Sequence, residues 1–538
     1  MGIYLNPKNE NFKRTLASDI YVDKTMMLDV LNAKINKGDN YICMSRPRRF
    51  GKTIASNMLA AYYSKGCDSQ ELFKDLKISS VPGYKENLNK YNVIKIDLNS
   101  EYQNTNDRIN LIDRLSKKIL DEMRKEFPDT GVSEDDSLAE GILKAYDSTG
   151  DTFIIIIDEY DVLVREQVEV TLFKRYLSFL NGLFKSDTLR PAISLAYLTG
   201  ILPVVRDKVQ SKLNNFKEYT IINAREFAGH IGFTDEEVRA LCGEYGVDFD
   251  KCKLWYDGYR LNGTEIYNPE SVVESMLNHS FGGYWNKTST YAVITDYLEQ
   301  DFDSMREDVI RMIAGENVEV NITSYMNTMD SFRTKDDVFT YLIHIGYLAY
   351  ECYDDMYPME GFCRIPNNEV RQEWKNAVAV QAEYKTTDKI IKASKQLLRS
   401  TVECDEEAVS AALDVSHINV TSNRSYNNED ALQSAIYLAY IYALNEYNCI
   451  KEMTTGKGFA DVVYIPVQPS ETRPAMVIEL KRNKTAQSGL DQIRQKKYFE
   501  SLSQYNGNLL LVGINYDEAN KTHSCKIEKY EKYPKRDK

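Results

Sequence analysis

A chain of 538 residues exceeds one ordinary hydrophobic core, so two to four domains are expected. Its 43% hydrophobic and 27% charged residues read as soluble and globular, and no run approaches the roughly 20 apolar residues of a membrane span. The net charge of −13 argues against coating nucleic acid by charge alone but leaves room for a local basic site. The opening "MGIYLNPKNENFKRT" lacks the apolar core of a secretory signal, and nine scattered cysteines form no C-x-x-C pair. Both point to reduced thiols in a cytoplasm.

The first 225 or so residues alternate β-rich runs with helical stretches: "NYICMS", "NVIKIDL", "TFIIIIDEY" and "AISLAYLTG". That alternation predicts an α/β fold with a parallel sheet flanked by helices. After the first run comes "SRPRRFGKT" (45–53), followed by a helical stretch to residue 64. The phosphate-loop pattern G-x-x-x-x-G-K-[ST] asks for glycine where Arg46 stands. Arg46 precedes Pro47, which forces extended geometry, so Arg46 can continue the strand and an Arg46→Gly change is expected to be tolerated. Gly51 permits close approach of backbone to phosphate at a helix N-terminus. Lys52 would then reach the β/γ-phosphates of ATP, and Thr53 would ligate Mg²⁺.

The apolar run "FIIII" ends in Asp158-Glu159, as the Mg²⁺-binding acidic strand of phosphate-loop ATPases does. Asp158 would hold the Mg²⁺ shell and Glu159 would orient or deprotonate water. A buried strand whose acidic end reaches solvent is the simpler alternative. Thr199 is read either as a γ-phosphate sensor or as an ordinary strand-end threonine. Arg48 and Arg49 could contact phosphate or supply an arginine finger, but pairing with acids such as Asp23 or Asp97 is the preferred reading. Arg206 is a weaker candidate for acting on a neighbouring subunit in a homo-oligomer.

These pieces, with "YVDKT" (21–25), "LTGILPV" (198–204), "LNNF" (213–216), "GFTDEEV", "WYDGY", "IYNPESV", "IGYLAYE" and "IPNNEV" (365–370), resemble one family over nearly the whole chain. It is the bacterial AAA-like ATPases, related to archaeal and STAND-type ATPases, that are fused to a PD-(D/E)XK nuclease-like domain. The resemblance makes SRPRRFGK[ST] the family's own form of the loop, and implies an ATP site.

From about Asn223 to Tyr426 the sequence reads as mostly helical, with "WYDGYRLNGTEIYNP" as turns. A long helix is expected over 428–447, then two strands around the turn "PVQPSETRP", a helix, and the strand "NLLLVGIN". This predicts a second α/β unit, which the resemblance makes restriction-endonuclease-like. The expected domains are 1–225 (ATPase), 226–425 (helical middle or lid) and 426–538 (nuclease-like).

In this last segment Asp461 sits on one strand and Glu479 and Lys481 share a face of the next. Two carboxylates make a Mg²⁺ (or Mn²⁺) site, and a lysine beside them can orient water and neutralise phosphate. E-x-K alone is weak. Gly458, the apolar "MVI" before Glu479 and the helix "SGLDQIRQKKY" strengthen it, the helix matching the family's Q-I-x-x-K-x-Y pattern with Gln492 facing the site and Tyr498 further on. The resemblance suggests Glu429 as an extra acid on the first helix. Asp430, or a helix-start acid serving only the dipole, are the alternatives. The stretch from Lys481 to Lys497 is locally basic, as phosphodiester binding requires or as a solvated helix face would be. The implied function is an ATP-binding and ATP-hydrolysing protein coupled to a Mg²⁺-dependent nuclease domain, with DNA expected before RNA as its substrate. A signalling ATPase whose nuclease-like fold only binds, and a self-assembling ATP switch, are the alternatives.

Overall fold

The computed structural model describes residues 2–203, 206–207, 210–211, 213–285, 305–313, 315–323, 325, 332–354, 356–380, 385–420, 436, 439–440, 442–443, 446–455, 458–466, 473–496 and 508–530. One compact unit holds Met1–Thr290 and Asn317–Glu373, and the other holds Trp374–Lys538 with Arg306–Glu316.

In the first unit the four predicted runs become β1 (Tyr41–Ser45), β2 (Asn92–Asp97), β3 (Phe153–Asp158) and β4 (Ile193–Gly200). Two-residue strands β5 (Arg206–Asp207) and β6 (Gln210–Ser211) pair with each other, and β7 (Lys217–Tyr219) adds an edge. The sheet order is β2-β3-β4-β1-β7 and every pairing is parallel. Such a sheet is covered on both faces, which is why β3 and β4 are buried along their whole length. The Leu111–Glu126 helix supplies part of that cover. It turns Leu111, Ile112, Leu115, Ile119, Leu120 and Met123 inward at helical spacing. They join a core with Ile155, Ile157 and Leu198. Among the described residues no helix is long and apolar enough to cross a membrane.

The middle region carries more strand than the sequence suggested. The stretch read as turns folds into a hairpin, β9 (Tyr259–Leu261) and β10 (Thr264–Tyr267), on which β8 (Phe233–Thr234) pairs. Asn262 and Gly263 both take positive φ, 46° and 81°, the geometry that makes Asn-Gly a hairpin turn. A second small sheet joins β11 (Val318–Asn321), β13 (Glu360–Arg364) and β12 (Ala349–Cys352).

The second unit is a mixed sheet of β14 (Tyr447–Thr455), β15 (Gly458–Pro466), β16 (Ala475–Arg482), β17 (Leu509–Asp517) and β18 (Thr522–Tyr530) in that order. Only β16 and β17 run parallel. Two strands, β14 and β18, were not expected. The predicted helix over 428–447 lies mostly outside the described residues. Leu397, Leu398, Val409 and Leu413, from helices Lys385–Val402 and Glu406–Val420, share one core with Val462, Ile478, Val512 and Cys525. The region expected as 226–425 is thus divided between the two units.

Candidate nucleotide and metal sites

The phosphate-loop candidate joins the end of β1 to the Lys52–Tyr63 helix. Arg46 does extend the strand: its N–H donates to the Gly200 carbonyl at 3.1 Å. Its side chain, however, is fully buried. Nη1 donates to the carbonyls of Ser45 (2.8 Å) and Tyr219 (3.0 Å), and Nη2 to that of Phe227 (3.4 Å). The guanidinium therefore pins β1 to β7 and to the 3₁₀ turn Arg225–Phe227, and the expectation that glycine would serve here is corrected. Burial pushes Arg46 down to about 10.

Beyond Pro47 the backbone turns through Arg49 (φ 66°) and Gly51 (φ 93°) before the helix starts. Nothing lies within 4 Å of a Cβ built on Gly51, so the glycine is demanded by its dihedral and leaves the loop's concave side open. Lys52 Nζ donates to the Pro47 carbonyl at 2.8 Å, inside that loop. Burial pushes the ammonium down to about 8, against the upward pull of Glu159, Asp161 and Asp158. Ser56 Oγ donates to Asp158 Oδ2 at 3.0 Å, and Thr53 lies beside the same carboxylate. Burial raises the Asp158 carboxyl while these hydroxyls oppose the rise. Thr199 is buried and stands in register with Asp158 on the neighbouring strand. A cleft of about 250 Å³ opens on Thr53 and Asp158 and is lined as well by Lys95 and Asp97. Free helix N–H groups, a buried ammonium and a hydroxyl beside a carboxylate suit a nucleotide phosphate and its cation.

Glu159 takes φ 53°, a left-handed backbone that turns its side chain out of the strand direction. Its carboxylate pairs with Arg165, whose Nε stands 3.1 Å from Asp161 Oδ2. Asp161 is fully buried and accepts from Ile201 N (3.0 Å) and Leu202 N (2.8 Å). Sequence reasoning missed this chain from the end of β4 to Glu159, although Asp161 and Arg165 sit at helical i,i+4 spacing. The two loop arginines turn away from the acids first considered for them. Arg49 Nη1 bonds Glu270 Oε1 and the Tyr284 carbonyl, each at 3.1 Å, and the Arg48 side chain is exposed. Asp97 instead caps its own helix through Ser100 N, and Asp23 accepts from Thr25 and Lys77 N. Arg206 lies in β5, and its side chain is outside the described residues.

In the second unit Asp461, Glu479, Lys481 and Gln492 come together. Antiparallel pairing of β15 with β16 lets Asp461 Oδ2 accept from Leu480 N at 2.7 Å. Glu479 is 1% exposed; its Oε1 accepts from Lys481 Nζ at 2.8 Å and from Gln492 Nε2. Its Oε2 is buried with no hydrogen-bond partner. An orphaned carboxylate oxygen beside a second acid is what a divalent cation would satisfy, so the donor set fits Mg²⁺ or Mn²⁺. Burial pushes the Glu479 carboxyl up to about 7, with Asp461 adding to the rise and Lys481 and Lys496 opposing it. Lys496, one turn beyond Gln492 on the Ala486–Lys496 helix, is thus a further cation near the site. Two glycines seat that helix: a Cβ on Gly513 would lie 2.2 Å from the Ala486 carbonyl, and one on Gly489 3.1 Å from Gly513 Cα. Glu429, Asp430 and Tyr498 lie outside the described residues. Among the described residues no group of three or more His, Cys, Asp or Glu is disposed to hold a metal.

The fold and these two sites define a phosphate-loop ATPase domain followed by a nuclease-like one, and comparison with known proteins agrees. Residues 10–210 match the family described as a predicted AAA-ATPase, and residues 427–525 match the PD-(D/E)XK nuclease superfamily. The chain is an AAA-like ATPase domain fused to a PD-(D/E)XK nuclease-like domain. It is 24% identical over 288 residues to the "Uncharacterized protein in vnfD 5'region" of Azotobacter chroococcum mcd 1, covering 52% of each chain. The chain thus spans about half the length of this curated relative. Among solved structures it is similar to the Aeropyrum pernix ORC2 protein (ADPNP-ADP complexes), with TM-score 0.31 and 11% identity over 68% of this chain and 97% of that one. The Aeropyrum pernix ORC1 protein in complex with DNA gives TM-score 0.25 and 11% identity over 70% and 97%.

Proposed function

We propose that this chain binds and hydrolyses ATP in its first unit and uses that cycle to govern Mg²⁺-dependent phosphodiester cleavage, on DNA, in its second. The observation that carries the reading is the meeting of Asp461, Glu479, Lys481 and Gln492 around one orphaned carboxylate oxygen. On this reading residues 1–225 act as the ATPase, the part of 226–425 within the first unit as its lid, and 426–538 with the helices packed on it as the nuclease, in the cytoplasm.

Gly51, Lys52 and Thr53 bind the nucleotide, Arg48 and Arg49 shape or contact its phosphates, Asp158 holds its cation shell and Thr199 senses the γ-phosphate. Glu159 orients or deprotonates water. In the second unit Asp461 and Glu479 would hold a divalent cation, which supplies charge for the scissile phosphate and lowers the pKa of water. Lys481 favours the ionised form of Glu479, neutralises phosphate and orients water, and Gln492 fixes the Glu479 carboxylate. Glu429 is the candidate for an additional acid. The test is to incubate the purified protein with labelled DNA and RNA, with and without Mg²⁺ and ATP. Cation-dependent DNA cleavage that responds to ATP is expected. Binding without cleavage under every condition would leave a nucleic-acid-binding ATPase in its place.

A further inference from the structure

The phosphate loop is held from outside by a segment far along the chain. Tyr284 presents its carbonyl to Arg49 Nη1 at 3.1 Å, and Trp285 Nε1 donates to the Arg48 carbonyl at 3.3 Å. The Trp285 ring also lies 5.0 Å from that of Tyr347. Gly346 comes so close to Pro47 that a Cβ there would meet its Cβ at 2.7 Å. What fixes residues 284–285 is one carboxylate. Glu369 Oε1 accepts from Tyr284 N at 2.6 Å and from Trp285 N at 2.8 Å. Both of its oxygens also accept from Ser271 Oγ, at 3.0 and 2.8 Å. Ser271 follows Glu270 in the Pro269–Asn278 helix, and Glu270 is the other partner of Arg49. Glu369 therefore gathers both groups that grip Arg49.

The side chain is 1% exposed, and burying a carboxylate is costly unless hydrogen bonds compensate it, as those to Glu369 do. Arg49 needs the support. It holds φ 66°, a conformation that a β-carbon disfavours and that persists only when its surroundings enforce it. We propose that Glu369 is a positioning residue for the phosphate loop: through Tyr284, Trp285 and the Pro269–Asn278 helix it holds Arg48 and Arg49 in the shape that receives ATP. Without it the loop relaxes, and nucleotide binding must first restore the strained turn. This inference rests on the ATP site proposed above.

The test measures the affinity of the full chain for a fluorescent, non-hydrolysable ATP analogue. Glu369→Ala is expected to weaken binding about tenfold, while Glu369→Gln, which keeps an acceptor oxygen, stays within about twofold of native. Adding Arg49→Ala to Glu369→Ala should produce little further loss, because both act on one element. Trp285→Phe, which removes the bond to Arg48 and trims the ring that packs on Tyr347, should weaken binding a few-fold and serves if Glu369→Ala fails to fold. Unchanged affinity in folded Glu369→Ala or in Trp285→Phe would overturn the proposal, as would additive effects of the Glu369 and Arg49 changes. Native protein that binds the analogue no better than Lys52→Ala would instead overturn the ATP site itself.

Discussion

Arg46 stands where the phosphate-loop pattern asks for glycine, and its side chain hydrogen-bonds backbone carbonyls on three segments. Replacing it with glycine would leave a cavity and uncapped carbonyls in the interior. Arg46→Gly should destabilise the protein by about 3 kcal/mol, read as a lower denaturant midpoint in urea. The extended geometry before Pro47 was legible because it is a local rule. The partners were not, since Tyr219 and Phe227 meet Arg46 only through the tertiary fold. The same limit applies to Arg49, which found Glu270 rather than the nearer-seeming Asp23 or Asp97. Lys52 and Glu159 are singled out by residue type and order alone. Lys52→Ala should abolish nucleotide binding, because a methyl cannot replace the ammonium charge. Glu159→Gln should keep binding and lose turnover, measured as phosphate release. Equal ATP affinity and turnover in Lys52→Ala and the native protein would remove the site from consideration.

At the scale of elements, the alternation of apolar runs and helices announced the parallel sheet, and the spacing in "IELK" announced the site on β16. Strands β14 and β18 were not announced, because "YNCIKEMTT" and "THSCKIEKY" carry the polar residues of sheet edges and lack a full apolar run. The seating of the Ala486–Lys496 helix depends on Gly513. Gly513→Ala would drive a methyl into the Ala486 carbonyl and should cost about 1–3 kcal/mol. It should also displace Gln492 from Glu479, so cleavage falls more than ATP hydrolysis in parallel assays. A second expectation concerns pH and the helix beginning at Asn368. Burial pushes the Glu369 carboxyl up to about 7, against hydrogen bonds from Trp285, Ser271 and Tyr284, whereas an unfolded glutamate titrates at about 4.3. The folded state therefore holds the extra proton between those values. The contribution is fully present below about pH 4.3 and is lost as pH rises through about 7. Glu369→Gln, which cannot ionise, should gain stability relative to native between pH 5 and pH 8, by a few kcal/mol at most. Urea midpoints at the two pH values check the sign; a gap that shrinks with pH would contradict it.

For the whole molecule, the two sites stand in separate compact units, so their chemistry should separate by mutation. Asp461→Ala or Glu479→Ala should eliminate cation-dependent cleavage and leave ATP hydrolysis largely intact. Lys481→Ala should slow cleavage but spare cation binding in calorimetry, because an ammonium cannot ligate a metal. Cleavage at native rates by the Asp461 and Glu479 variants would assign the activity elsewhere. The partition near Glu373 was not legible, since it falls inside the Asn368–Val380 helix, where no linker composition marks it. The fastening of the Glu406–Val420 helix to β18 has a further consequence, in the order of synthesis. Glu406 bonds Lys526 and Ile527 N, and Asp414 bonds His523, across a separation of 120 residues in the Lys526 case. At roughly 5–20 residues per second, the helix emerges from a ribosome roughly 6–24 s before its partner strand. Through that interval Val409 and Leu413 have nothing from β18 to cover them, and in its last second or so β17 also offers an apolar, unpaired edge until Thr522–Tyr530 arrives. Chains released before residue 522 should therefore aggregate or be captured by chaperones, and slowing translation just upstream of that point should lower the yield of native protein.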